Sequence, residues 1–297
     1  MTGTEVAAVG VVTGWGEGAA ALPSDAVRAA AGRRVIAAAR PPLVGERFRR
    51  ATRECLLGVA AVEALLREAN IEREEIRGGD TALVYVTAAA YGSANHDFIV
   101  AGAASTDVGA GAARTEHSGG GLRKAPAGTV ASSTLHFPYT APSAVPAEVA
   151  IEFGLTGPYV ILLGGAAAMI DGLWQATLQV GRGRCRRALV LAVETFSECE
   201  ELWARGRWLL RPPLVESAAC ALLIPGPSRA TYAPASTESP LEALARARAG
   251  ETLACAPLIA LALARAGGGA APFRLTGQWR GRRARSRLVR RAPAKRR

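Results

Sequence analysis

Histidine is almost missing from this chain, with three among 297 residues and none after His136. Chemistry that needs several imidazoles beyond that point is excluded. Metal-ligand spacing is missing too: the five cysteines, Cys55, Cys185, Cys199, Cys220 and Cys255, form no C-x-x-C pair. An odd number of thiols in a chain of this length is no disulfide framework, so reduced and mostly buried thiols are expected, with no metal. Aromatic residues make up only 5%, and alanine and glycine carry much of the 49% hydrophobic content. Such small side chains suit closely packed helices and strands better than a large open pocket.

Long hydrophobic runs are also lacking. The most apolar stretch, 159–170, is short and broken by glycine, well below the roughly 20 residues that span a bilayer. No basic segment precedes an apolar run with a cleavage site at the N-terminus, so a soluble, cytoplasmic chain without a membrane span is expected. No G-K-[ST] phosphate loop occurs. Gly14-Trp15-Gly16-Glu17-Gly18 follows a strand, but its third glycine comes one position early for a dinucleotide loop. No cofactor is expected.

Negative charge is absent from one end. Residues 271–297 hold eleven of the 36 basic residues and no acidic one, which leaves 25 basic against 25 acidic in the rest. The formal charge of +11 therefore belongs to the C-terminus. Such a segment attracts polyanions; the plainer alternative is a solvated, partly disordered tail. Glu194 with Glu198, Glu200 and Glu201 reads as a solvated helix with internal salt bridges, and 203–211, rich in Trp and Arg, as a partner-facing patch.

What is present alternates between strand and helix patterns. Strands are predicted at 6–12, 82–87, 159–163, 188–193 and 218–224, with helices at 48–69, 147–153 and 166–180. Leu56, Val59, Val62, Leu66 and Ala69 fall on one helical stripe. The continuous apolar run at 159–163 suits a buried parallel strand. Residues 105–128 read as a flexible loop and 226–239 as a linker. Beyond the linker, helices are expected at 241–248 and 253–265, and short strands at 272–279 and 287–289. The alternation predicts an α/β fold around a central sheet.

Several segments in order resemble the β-ketoacyl synthases of the thiolase superfamily. They are Val9-Gly10-Val11-Val12-Thr13-Gly14-Trp15-Gly16, then Phe137-Pro138-Tyr139-Thr140 leading to Ile151-Glu152-Phe153-Gly154-Leu155-Thr156-Gly157-Pro158, then Leu191-Ala192-Val193-Glu194 and Ser217-Ala218-Ala219-Cys220-Ala221-Leu222-Leu223. The resemblance covers roughly residues 4 to 225. It implies a thiolase-like layered α/β/α/β/α sandwich with a reduced second half. The corresponding division is 1–225 as a ketosynthase N-terminal-like domain, 226–279 as a reduced C-terminal half and 280–297 as a basic, disordered tail.

The same resemblance implies 3-oxoacyl-[acyl-carrier-protein] synthase activity, with a nucleophilic cysteine at the turn after the 159–163 strand. The family pattern puts Ala166 there. No Cys, Ser or Thr occurs from 160 to 176, so a slip in register does not restore a nucleophile. If one helix ran on from Ala166, Cys185 would lie about 28 Å away. The second-half histidines that would stabilise developing charge are missing as well.

The expectation is a non-catalytic subunit that assists a condensing enzyme in fatty-acid or polyketide-type lipid synthesis, as chain-length factors do. It would pair as a homodimer or with a ketosynthase. His136 and Phe137 are candidates to line an acyl tunnel or dimer interface; the plainer alternative makes Phe137 core and His136 an ordinary surface or interface residue. Arg280, Arg282, Arg283 and Arg285 are candidates to meet an acidic acyl carrier protein, while nucleic acid is the less favoured partner. The alternative is an acyltransferase or thioesterase on the same scaffold, recruiting Cys185, Cys199 or His136. A decayed paralogue, or a protein that binds nucleic acid through its tail, is a third reading.

Overall fold

The computed structural model describes residues 3–49, 51–90, 95, 98–99, 137–196, 212–268 and 273–290. The chain opens with β1 (Thr4–Thr13), β2 (Gly16–Glu17), the short helix α1 (Ala26–Ala30) and β3 (Val35–Ile36). Helices α2 (Arg53–Ala69) and α3 (Arg73–Ile76) lead to β4 (Thr81–Thr87). After a 3-10 turn at Phe137–Thr140 come α4 (Ala144–Phe153), β5 (Tyr159–Leu163), α5 (Ala166–Gly181) and β6 (Arg187–Glu194). Then follow β7 (Leu214–Val215), β8 (Ser217–Pro225), β9 (Ser228–Pro234), α6 (Pro240–Ala249), α7 (Ala256–Ala266), β10 (Phe273–Trp279) and β11 (Arg282–Arg290).

The main sheet has the order β2–β1–β8–β6–β4–β5. Strands β6, β4 and β5 are parallel, whereas β8 runs antiparallel to both β6 and β1. Because side chains alternate along a strand, β4 sends Leu83 and Tyr85 to one face and Val84 and Val86 to the other. The first face packs on α2 and α4 through Leu57, Leu65, Val149 and Phe153. The second packs on α5 and α7 through Met169, Ile170, Leu173, Leu258 and Leu261. Both faces are buried, which explains why β4 and β6 read as unbroken apolar runs.

Local chemistry sets the element ends. Thr52 caps α2 by accepting from the Cys55 amide, and Asn70 closes it in the left-handed conformation. The predicted start at 48 is therefore five residues early: residues Glu46–Arg49 form a separate 3-10 turn ahead of the cap. Gly10 lets α2 lie directly on β1, since a Cβ there would come within 2.6 Å of the Ala61 carbonyl oxygen. Arg265 at the end of α7 donates to the Val6 and Ala7 carbonyls at 2.9 and 2.6 Å, where β1 bulges.

After residue 225 the reading needs correction. The 226–239 segment, expected as a linker, contains β9, and 282–290, expected within the tail, is the middle strand of a second sheet ordered β10–β11–β9. This sheet packs on α5 and α7, so the described residues stack as helix, sheet, helix, sheet. The second half is reduced as expected, to three strands and two helices among the described residues.

Candidate functional site

The parallel strands β4, β5 and β6 all point their C-terminal ends at one region, where α/β folds hold their ligands. At the end of β5, Gly164 and Gly165 make the turn into α5, and Ala166 is the first helical residue. Ala166 is buried, at 7% exposure. Strand β10 presses on this turn at two points. A Cβ on Gly277 of β10 would lie 3.0 Å from the Ala166 Cβ, and one on Gly165 would lie 2.9 Å from Cδ2 of the Trp279 indole. Strand β10 thus packs closely against the turn that opens α5.

The second sheet is held there by polar bonds. Arg282 makes a bidentate pair with Asp171 of α5, at 2.6 and 2.7 Å, and its guanidinium also reaches the Tyr232 hydroxyl. Tyr232 donates to Asp171 at 2.7 Å and stacks on Trp174, with ring centroids 5.9 Å apart. Arg283 pairs with Glu242 and with Gln278. Two of the four arginines expected at a partner surface therefore bond within the chain. Arg280 lies over the Trp279 ring at 5.6 Å, while Arg285 is exposed.

Glu194 is the largest departure from the sequence reading. It ends β6 and is fully buried, not part of a solvated helix; Glu198, Glu200 and Glu201 lie outside the described residues. Its carboxylate accepts from the Ala88, Ala89 and Ala254 amides at 2.8, 2.9 and 3.2 Å, with Thr87 Oγ1 at 3.4 Å. Burial outweighs these bonds and raises its carboxyl to about 8. The carboxyl ties the ends of β4 and β6 to the turn before α7. Glu216, also fully buried, accepts from Ala38 and Phe196 amides at 2.9 Å each and pairs with Arg53. An acidic residue at the edge of an apolar run was the available signal for both.

The four described thiols are not activated. Burial pushes Cys185 up, Cys55 to about 12, and Cys220 and Cys255 well above the ordinary thiol range. Cys255 lies closest to the site, at the start of α7, where its thiol meets the Ser217 carbonyl at 3.5 Å. His136, Cys199, the 105–128 loop and the 203–211 patch lie outside the described residues. Phe137 begins the 3-10 turn ahead of α4. Among the described residues no His, Cys, Asp and Glu group is placed to hold a metal, and no helix is long and apolar enough to cross a membrane.

No protein-family model matches the chain, and no curated protein matches it by sequence. Solved structures do. The ishigamide ketosynthase/chain length factor superposes with a TM-score of 0.63 at 15% identity, over 98% of this chain and 100% of that one. A type II polyketide ketosynthase in complex with its acyl-carrier protein (AntDE with AntF, bound to the hexaketide) gives 0.69 at 11%, over 98% and 100%. A β-ketoacyl synthase from Burkholderia phymatum gives 0.62 at 14%, again over 98% and 100%. The chain has the thiolase-like fold of ketosynthases and chain length factors.

Proposed function

We propose that this chain is a ketosynthase-like subunit that does not condense, and that it assists a condensing enzyme in fatty-acid or polyketide-type synthesis. One observation carries the reading: the first residue of α5 is an alanine, and β10 closes the space in front of it. A methyl group cannot take up an acyl chain, and no acyl thioester can approach through Gly277 and Trp279 as they stand. The raised thiols give no support to a relocated nucleophile at Cys185.

The open edge of β5 supports pairing. Among the described residues it is the last strand of its sheet, hydrogen-bonded to β4 alone, with Tyr159 and Leu163 at 69% and 59% exposure. An apolar edge of this kind is a template for another strand. A ketosynthase partner, with a carrier protein serving the pair, fits this edge and the neighbours named above.

The test is intact-mass spectrometry of the purified chain after incubation with acyl and malonyl thioesters, followed by co-expression with a ketosynthase. The expected result is no adduct on this chain and a change in product length when it is present. An acyl adduct that is then extended by a malonyl unit would refute the proposal.

A further inference from the structure

The second sheet has one covered face and one open one. Leu275, Gly277, Ala284 and Ser286 are buried toward α5 and α7. The opposite positions carry Arg274 on β10 and Arg283, Arg285 and Arg287 on β11. Arg283 is neutralised by Glu242, whose carboxylate also accepts from Thr276, so that α6 covers the middle of β10 directly opposite Arg285. Arg274, Arg285 and Arg287 are exposed, and none has a carboxylate partner among the described residues.

Their placement is dense. Arg274 stands directly opposite Arg287 in the register, and Arg285 lies two residues along on the same face. Directly opposed side chains are about 5 Å apart at Cβ, and like charges so placed repel. The β9 positions beside them, Ala233 and Thr231, are small and uncharged. A cluster of this kind calls for an external polyanion.

Which polyanion follows from what the face lacks. A protein partner needs an aromatic or aliphatic centre in its interface, and a peripheral membrane surface inserts apolar side chains. The exposed large hydrophobic side chains of the described residues are Val27, Val44, Ile99, Ile151, Tyr159, Leu163 and Leu244, and none is among the described side chains of β9, β10 and β11. Nucleic-acid backbone needs only positive charge and N–H donors. Guanidinium groups bind phosphate in two-point fashion. From sequence, nucleic acid is the less favoured partner because the basic run lacks interleaved aromatics beyond Trp279 and no recognised nucleic-acid fold accompanies it; β11 now sets part of that run in an ordered row.

We propose that the outer face of β10 and β11, through Arg274, Arg285 and Arg287, binds the phosphate backbone of a nucleic acid. Such binding does not depend on the subunit role above, and a chain that failed to assist a ketosynthase could still show it.

The experiment is fluorescence anisotropy of the full chain with a labelled DNA of about 20 nucleotides, single-stranded and duplex, across about 50 to 200 mM salt. Compared with the parent, the triple variant Arg274→Gln, Arg285→Gln, Arg287→Gln should bind at least tenfold more weakly at the low-salt end. The slope of log affinity against log salt should shrink by about 2 to 3, and each single variant should remove about one. Residues 291–297 are the same in every form, so their contribution cancels. Circular dichroism confirms that the variants fold. No DNA binding by the parent, an unchanged slope in the triple variant, or tighter binding to phosphatidylglycerol vesicles or polyglutamate than to DNA would each overturn the proposal. An unchanged slope would mean that the arginines only keep an open sheet face in water.

Discussion

Substituting Gly165→Ala should destabilise the protein because of one neighbour, the Trp279 indole. The glycine has φ −89°, outside the left-handed region. The added methyl would sit 2.9 Å from Cδ2 and 3.1 Å from Cζ3 of Trp279, too close for carbon against carbon. Overpacking of this kind costs about 1 to 3 kcal/mol; Trp279 is half-buried and stands at the end of its strand, so about 2 kcal/mol is expected. Trp279→Ala alone removes a half-buried aromatic, and roughly half of the usual 3 to 5 kcal/mol loss applies. In the double variant the methyl enters space the indole has left, so the Gly165 change should cost almost nothing there. The coupling between the two sites should then reach about 2 kcal/mol. Urea unfolding of the four forms measures it directly. If Gly165→Ala costs as much without the indole as with it, Trp279 does not close the turn, and the occlusion argument falls.

Three further outcomes are expected. Glu194 is raised from 4.5 to about 8, so the native state holds a proton that the unfolded chain releases between those values. The stability this contributes is complete below about 4.5 and is lost as pH rises through 8, by up to about 1.4 kcal/mol per pH unit. Glu194→Gln should flatten the fall in urea midpoint between about pH 6 and 8, where an unchanged slope would place the proton elsewhere; Tyr85 and Cys255, the titratable neighbours it influences, are both raised and stay neutral over that range. Arg53→Met removes the guanidinium from fully buried Glu216 and should cost about 3 to 5 kcal/mol in chemical unfolding, with a loss under about 1 kcal/mol arguing against the pair. Ala166→Cys puts a thiol at the start of α5 behind β10; iodoacetamide labelling above the parent's background should stay slow, and become about tenfold faster when Trp279→Ala is added. Equal rates in the two forms would mean that the indole does not limit access.

The first half was legible because its signals are redundant. The run at 159–163 is β5 to the residue, although it is a part-exposed edge strand and not the buried strand expected, and 166–180 differs from α5 only by Gly181. Apolar strands closed by glycine turns, and a helix apolar on most sides, leave few other structures possible. The second half was obscured by its charge. Strand β11 reads Arg-Arg-Ala-Arg-Ser-Arg before Leu288, and its inward positions are Ala284 and Ser286, too small to mark a buried face. Those positions are small because Ala166 and α5 lie close behind the sheet. Periodicity detects large apolar residues, so a strand whose buried side is nearly backbone escapes it.

The site shows the same limit from the other direction. An absence, that of Cys, Ser and Thr from 160 to 176, can be read from one line of sequence. A cover cannot, because Trp279 lies more than a hundred residues away from the turn it closes. The two facts belong together physically. An acylated cysteine needs an open approach to the N-terminus of α5, which forbids close packing by Gly277 and Trp279. On the proposed reading, an alanine at 166 removes that constraint, and the hairpin of β10 and β11 packs against α5, pinned by Arg282 on Asp171. Restoring the sulfur alone should therefore not restore a reactive site, because the sheet now occupies the approach.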